Sequence, residues 1–102
     1  MQEAIVEVRE VREVAQALTR AAALEQLAEE CSELGHACLK YARAIRQENP
    51  TPVSITTCKE HLNEETADVM NAILMLRSKR MLSGIVDIQR SKIQRARERL
   101  DV

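Results

Sequence analysis

The sequence predicts an all-α protein, a bundle of about four helices in a single domain covering residues 1–102. Only two Gly, two Pro and one aromatic residue occur among the 102 residues, which leaves a sheet without its turn residues and its aromatic strand residues. Ala, Leu, Glu, Arg and Gln are abundant, and these are good helix formers. Because one core of this size is modest, we expect oligomerisation to complete the bundle.

The first half of the chain predicts two helices. Residues 3–18 show apolar residues at helical spacing, with charge between them: Ile5, Val8, Val11, Ala15 and Leu18. Residues 20–47 predict a long helix with an apolar stripe rich in small residues: Leu24, Leu27, Ala28, Cys31, Leu34, Gly35, Cys38, Ala42 and Ile45. Thr19 could cap this helix, and a continuous helix through residue 20 is equally compatible with the pattern.

The second half predicts two more helices after a loop at residues 48–54, where Pro50 and Pro52 exclude a helix. Thr57 and Glu60 match the capping box that starts a third helix. Its predicted apolar stripe is Leu62, Thr66, Val69, Ile73 and Leu76. Ser83-Gly84 predicts a break before a last helix at about residues 85–100. Its apolar side is predicted to be Ile85, Ile88, Ile93, Ala96 and Leu100, and its other side is strongly basic.

The charges are unevenly distributed along a chain of net charge −1. Residues 1–76 carry 7 Lys/Arg against 13 Asp/Glu, whereas residues 77–102 carry 8 against 3. Such a division is typical of a protein that holds a cation at one place and anionic groups at another. The odd number of cysteines, without a C-x-x-C pair, indicates a reduced compartment. The charged start and the lack of a long apolar run predict a cytoplasmic protein with no membrane contact.

Two acidic segments of the chain resemble each other at a constant offset of 35 residues. Leu27-Ala28-Glu29-Glu30-Cys31-Ser32-Glu33-Leu34 aligns with Leu62-Asn63-Glu64-Glu65-Thr66-Ala67-Asp68-Val69. Each segment places two carboxylates at i and i+3 on one side of a predicted helix, about 5–6 Å apart at Cβ. A solvated face would explain either segment alone, but two copies in equivalent registers beside apolar stripes favour a shared site.

If the two helices pack through their stripes, the carboxylates of Glu30, Glu33, Glu65 and Asp68 face one another. Four converging carboxylates cannot all stay ionised unless a cation neutralises them. All-oxygen ligands suit the hard cations Mg²⁺ and Mn²⁺. Magnesium completes its coordination with water and substrate phosphates, so the pattern predicts phosphate chemistry.

The pattern E-E-x-x-E, a loop, then E-x-x-D on a following helix resembles the MazG-like, all-α nucleoside triphosphate pyrophosphohydrolases. The resemblance covers about residues 20–100. It implies a helical bundle, often dimeric or tetrameric, that binds Mg²⁺ through Glu30, Glu33, Glu65 and Asp68. It also implies a hydrolase that cleaves a (deoxy)nucleoside triphosphate between the α and β phosphates. The 31 residues between Glu33 and Glu65 exceed the usual gap, and the loop around Pro50–Thr56 accounts for the extra length.

Several further residues are candidates in such a reaction. A carboxylate next to the metal ligands, Glu29 or Glu64, could accept the proton of the attacking water. Cations for the departing pyrophosphate are predicted on one side of the last helix, at Lys92, Arg95 and Arg99, with Lys40 and Lys59 as secondary candidates. Tyr41 could stack on a base, and Asn71 could hydrogen-bond the substrate. A solvated basic helix paired with Asp87 and Glu98, and a packing role for Tyr41, are equally compatible.

Other classes of function compete with this interpretation. Cys31 and Cys38 are expected to be buried small hydrophobes rather than zinc ligands, since no zinc-like spacing with His36 or His61 is present. Glu33 and His36 form one E-x-x-H motif, but di-iron bundles need two. A non-catalytic helical interaction module is one alternative. Nucleic-acid binding by the basic residues 77–99 is another, against which the acidic first three quarters and the scarcity of aromatic residues count.

Overall fold

The computed structural model of the protein describes residues 8–50 and 52–102. It contains four helices: α1 (Val8–Gln16), α2 (Arg20–Arg46), α3 (Ile55–Ser78) and α4 (Ile85–Leu100). Since no strand occurs in these ranges, the predicted all-α class with four helices is confirmed. Residues 3–7 of the predicted first helix lie outside the described part. None of the described helices has the length and the apolar character needed to cross a membrane.

Thr19 separates α1 from α2. Its backbone is extended (φ −72°, ψ 163°), and its Oγ1 accepts a hydrogen bond from the Ala22 N–H at 3.0 Å. This is the N-cap arrangement, in which a hydroxyl satisfies one of the free N–H groups of the first helical turn. The two helices are therefore distinct, and the continuous-helix alternative is wrong. Helix α2 ends where Gln47 adopts a left-handed conformation (φ 59°).

Helix α3 begins two residues before the predicted cap. Ser54 is the N-cap, and its Oγ accepts a hydrogen bond from the Thr57 N–H at 3.3 Å. The predicted capping box at Thr57 and Glu60 is therefore wrong, because Thr57 already lies inside the first turn and its N–H is the group being capped. Ser54 can serve because proline restricts itself and the residue before it, so Pro52 does not prevent a helix from starting at Ile55.

Helices α2 and α3 pack along each other as a hairpin joined by residues 47–54. The least exposed positions of each helix recur at alternating spacings of three and four, as in a coiled-coil seam. On α2 they are Ala23, Leu27, Glu30, Leu34, Ala37, Tyr41 and Ala44. On α3 they are Cys58, Leu62, Glu65, Val69, Ala72 and Leu76. We call these two rows together the seam; they place one glutamate of each helix at its centre.

The residues of the seam differ in part from the apolar stripes predicted for α2 and α3. Leu24, Cys31 and Cys38 lie one position beyond the seam of α2 and are exposed, so the predicted burial of these two cysteines is wrong. On α3, Ile73 is 41% exposed and Ala72 occupies the seam instead. Apolar residues stand in adjacent pairs along α2, so two neighbouring faces are almost equally apolar. The buried row of α2 also contains the charged residue Glu30, which made this row harder to recognise as the packed face.

The core of a single chain is small. Its buried residues are mostly alanines, and Leu76 (1% exposed) is the only large one among the described residues that is almost completely covered. Helix α1 packs against α3. Helix α4 has no buried residue, and the described part of the chain shows no extensive packing of α4 on another helix. Its predicted apolar side is therefore exposed, with Ile93 63% and Leu100 72% accessible.

Candidate metal centre

Glu30 and Glu65 occupy equivalent places in the hairpin. Each is the third residue of its helix's row in the seam, with an apolar seam residue before and after it. Both are half-buried, and the side chain of Glu65 is only 13% exposed. Carboxylates are rarely placed in apolar seams unless something balances their charge. Each of the two helices therefore places one partly buried glutamate in the seam.

Carboxylates from both helices converge at this point. One carboxylate oxygen of each of Glu30, Glu33 and Glu65 lies within 4.8 Å of the other two. Asp68 is outside this group of three, but it acts directly on Glu30. Glu30 thus faces Asp68, and Glu33 faces Glu65. Residue numbers therefore increase along α2 in the direction in which they decrease along α3. The helices are antiparallel, and three of the four carboxylates predicted to converge form the group, while Asp68 lies outside it.

The surroundings raise the pKa of both seam carboxyls above 4.5. For Glu30, burial is the largest cause of the raised pKa, followed by the negative charges of Asp68 and Glu33. For Glu65, burial again comes first, followed by the negative charge of Glu33. Burial and like charges both penalise the ionised form. In the absence of a cation, the cluster therefore retains protons at a pH where an exposed glutamate has lost them.

Each seam glutamate has one oxygen with a neighbour and one without. Oε1 of Glu30 accepts a hydrogen bond from Gln26 Nε2 at 2.9 Å, and Oε1 of Glu65 lies 3.6 Å from His61 Nε2. Oε2 of both glutamates is buried and has no hydrogen-bond partner among the described residues. A buried polar atom without a partner is costly and calls for an explanation. Two such oxygens in one cluster are what a bound cation would satisfy.

The donor set fits a hard divalent cation. The three clustered groups offer only carboxylate oxygens, the ligands that Mg²⁺ and Mn²⁺ prefer over imidazole and thiolate. Magnesium accepts one or two protein carboxylates and completes its octahedron with water or phosphate oxygens. Glu30, Glu33 and Glu65 could therefore supply the protein ligands, with Asp68 beside them.

The remaining carboxylates define one side of the hairpin. Glu33 immediately precedes the seam residue Leu34, and Asp68 immediately precedes Val69, so each is rotated about 100° from the seam in the same direction. In an antiparallel pair related by a local twofold, equivalent flanks lie on one side. Glu29 and Glu64, both exposed, lie on this flank too. We call this surface, formed by Glu29, Glu33, Glu64 and Asp68, the acidic side.

The predicted substrate residues divide between the acidic side and other places. By the same rotation, Lys40 and Asn71 lie on the acidic side, and both are exposed. Tyr41 is half-buried in the seam, which favours a packing role within one chain. Lys59 lies on the opposite flank. Lys92, Arg95 and Arg99 are exposed on α4, and the packing of the described helices does not bring them to the carboxylates.

Gln26 and His61 were not predicted as site residues. Each stands one turn before a seam glutamate on the same helix, a spacing at which side chains meet. They are also separated by the offset of 35 that relates the two acidic segments. These two polar residues therefore extend the equivalence of the two segments by one residue, to the position just before Leu27 and Leu62.

Comparison of the chain with models of protein families, with curated proteins and with solved structures gives no match. The resemblance to the MazG-like pyrophosphohydrolases accordingly stays a prediction from the acidic motif.

Proposed function

We propose that the protein is a Mg²⁺-dependent nucleoside triphosphate pyrophosphohydrolase, which converts a (deoxy)nucleoside triphosphate and water to the monophosphate and pyrophosphate. Removal of unwanted triphosphates from the nucleotide pool is the corresponding cellular role. The observation that carries the proposal is the pair of buried carboxylate oxygens on Glu30 and Glu65 that have no hydrogen-bond partner in the part of the chain that the structure describes. They lie in a cluster whose third carboxylate, Glu33, is exposed toward the acidic side.

The difference in burial between the seam glutamates and the other carboxylates supports a substrate that approaches from the acidic side. The seam glutamates are half-buried, whereas Glu33 and Asp68 are exposed. A bound divalent cation supplies positive charge that attracts and polarises phosphate oxygens. Gln26 donates a hydrogen bond to one oxygen of Glu30, and His61 Nε2 lies 3.6 Å from one oxygen of Glu65, which helps to orient both carboxylates. Substrate phosphates then meet a surface whose geometry is set before they arrive.

Other residues of the acidic side have assigned tasks in this proposal. Glu29 and Glu64 are both exposed, and one of them accepts the proton of the attacking water, a role that suits a carboxylate with access to solvent. Lys40 lies about two turns beyond Glu33 along α2 and attracts the distal phosphates. Asn71 lies one turn beyond Asp68 and hydrogen-bonds the substrate. The α4 cations can contact the pyrophosphate only in an arrangement in which α4 lies next to the acidic side of a hairpin. These cations are Lys92, Arg95 and Arg99.

Incubation of the purified protein with Mg²⁺ and a panel of (deoxy)nucleoside triphosphates tests this function. We expect release of pyrophosphate rather than orthophosphate, lost on addition of EDTA and reduced at least about a hundredfold by Glu65→Gln. Glu60→Gln is the matched control, since Glu60 is an exposed glutamate of the same helix. If no triphosphate is cleaved while a salt-sensitive shift of DNA is observed, the basic-helix alternative replaces the enzyme.

We also propose that the protein is a homodimer that buries the side of the hairpin opposite the carboxylates. Gly35 follows Leu34 and Met70 follows Val69, so both lie on this second flank. The second flank also carries polar residues such as Lys59 and, at the end of α3, Arg77. The exposed and half-buried small or apolar residues between these two positions form what we call the apolar side: Leu24, Ala28, Cys31, Gly35, Cys38 and Ala42 of α2, with Met70 and Ile73 of α3.

The amount of exposed surface supports a dimer. The chain exposes 8464 Å², whereas a compact monomer of 11.5 kDa is expected to expose about 5,800 Å². Its radius of gyration is 16.8 Å, against about 13 Å for a compact chain of this length. The excess is about 2,700 Å² per chain, or about 5,400 Å² for two chains, and obligate dimers bury about 2,000 to over 5,000 Å² in total. A twofold axis pairs the apolar side with its own copy and leaves both acidic sides open.

A further inference from the structure

The cleft between α1 and the end of α3 has a volume of about 910 Å³ and lies away from the carboxylates. Among the described residues that line it, five are cationic and none is acidic; the cations are Arg12, Arg20, Arg77, Lys79 and Arg80. Val11, Ala15 and Leu74 provide an apolar floor. Like charges destabilise one another when they are brought together in a concave place. The proposed function of the acidic side leaves this arrangement unexplained.

Three separate segments of the chain contribute the cations. Arg12 comes from α1, Arg20 is the first residue of α2, and the other three follow one another at the end of α3. Basic residues near a helix C-terminus are common because they offset the helix dipole. That preference accounts for the cations of α3, but it does not account for Arg12 and Arg20. The positive end of the 27-residue helix α2 also lies at the cleft, which adds to its attraction for anions.

No ion pair within 4.0 Å involves a lining residue in the described part of the chain. The ion pairs found among residues 8–50 and 52–102 join Arg9 to Glu13 and His61 to Glu65, and neither involves a lining residue. Along the sequence, no Asp or Glu occurs between Asp68 and Asp87. The positive charge at this end of the hairpin is therefore available to an external anion.

Arg80 stands where the backbone favours a glycine. Its φ is +57°, in the left-handed region, and the Met81 N–H donates to the Leu76 carbonyl at 3.0 Å, which closes the end of α3. Glycine is the usual residue at such a helix end because it adopts this conformation without steric cost. An arginine here strains the backbone and places a fifth guanidinium or ammonium group at the cleft.

We infer that this cleft is a second site, which binds small anions bearing two or more phosphate groups. Arginine forks bind phosphate oxygens in pairs, and the volume is in the range of small-molecule sites. The site is distinct from the acidic side: Arg77 follows the seam residue Leu76, so it lies on the other flank, and about 13 Å of helix α3 separates it from Asp68. Binding here requires no divalent cation.

Titration calorimetry with inorganic tripolyphosphate in EDTA tests the inference on the full chain. EDTA removes divalent ions, so a failure of this site is separable from a failure of the proposed enzyme. We expect binding that weakens with added salt and becomes about tenfold weaker in the double variant Arg12→Gln, Arg77→Gln. The matched control removes two charges from α4, with Arg90→Gln and Arg97→Gln, and leaves the affinity unchanged.

A second variant separates binding from folding. Arg80→Gly relieves the left-handed strain, so we expect a higher melting temperature together with weaker tripolyphosphate binding. ATP in EDTA distinguishes the phosphate chain from the nucleoside: equal affinity for ATP and tripolyphosphate indicates that the phosphates alone are recognised, and tighter binding of ATP adds a base contact. The inference is overturned if tripolyphosphate does not bind at 1 mM in low salt. It is also overturned if the α4 control loses as much affinity for tripolyphosphate as the double variant. It is also overturned if duplex DNA binds where tripolyphosphate does not.

Discussion

Gly35→Glu tests the proposed dimer most sharply. A Cβ added at Gly35 would meet no atom within 4 Å in the single chain, so the substitution creates no clash in the monomer. Glutamate is also a better helix former than glycine by about 0.5–1 kcal/mol. On the structure of one chain, the variant should fold at least as well as the original. In the dimer, by contrast, the new carboxylate lies in the interface.

The size of the effect follows from the symmetry. A buried charge left without a partner costs about 3 kcal/mol or more, and a twofold interface contains the substitution twice. A penalty of about 6 kcal/mol weakens the dimer about 10⁴-fold. Sedimentation velocity at micromolar concentration should therefore show the unaltered chain as a dimer and Gly35→Glu as a monomer. His36→Glu is the matched control, because it adds the same charge at the next, exposed position on the polar face.

Cysteine alkylation gives an independent measure of the same interface. Cys31 and Cys38 are exposed in one chain, whereas Cys58 is buried. The dimer predicts that all three react slowly, and that Gly35→Glu makes the first two react fast. A monomer with two reactive cysteines would refute the proposed interface. A monomer with protected Cys31 and Cys38 would refute it as well, since another part of the same chain would then cover the apolar side.

The remaining predictions concern the carboxylates and the fold. Because the pKa of Glu30 and Glu65 is raised in the folded state, the folded metal-free protein binds more protons than the unfolded one; its melting temperature in EDTA should fall as the pH rises from about 4.5 through the raised pKa values. This decrease should be smaller in Glu65→Gln and absent with saturating Mg²⁺, which calorimetric melts at several pH values will show. Ser54→Ala should lower the free energy of unfolding by about 1 kcal/mol, while Thr57→Ala costs less because its side chain caps nothing; equal losses in urea melts would contradict the assigned helix start. Leu76→Ala should cost about 2–5 kcal/mol, and a urea melt showing under 1 kcal/mol would contradict its place in the core.

The helices were predictable because their signals are local. Proline positions, helix-forming composition and apolar periodicity fix where α2, α3 and α4 occur. Hydroxyl residues cap the starts of α2 and α3, and small differences in geometry decide which candidate residue is the N-cap. Thr19 caps α2, and Ser54 rather than Thr57 caps α3. Such alternatives differ by about 1 kcal/mol, which sequence patterns do not resolve.

The convergence of Glu30, Glu33 and Glu65 was predictable from the repeat, since equal registers on two packed helices place equal residues face to face. The faces themselves were harder to choose, because Ala23-Leu24 and Leu27-Ala28 offer two adjacent apolar rows. Only long-range packing decides between them. The basic cleft was not predictable at all: its cations come from α1, the start of α2 and the end of α3, and no spacing along the chain relates Arg12 to Arg77.

The metal site itself is tested most directly by measuring divalent-ion binding and apo stability on the same pair of variants. Titration calorimetry with Mn²⁺ and Mg²⁺ should show binding to the unaltered protein and to Glu60→Gln, with loss of binding in Glu65→Gln. In EDTA, Glu65→Gln should melt at a higher temperature than the unaltered protein, because it removes a half-buried like charge. Unchanged binding in Glu65→Gln, or a lower melting temperature in EDTA, would contradict a carboxylate cluster built for a cation.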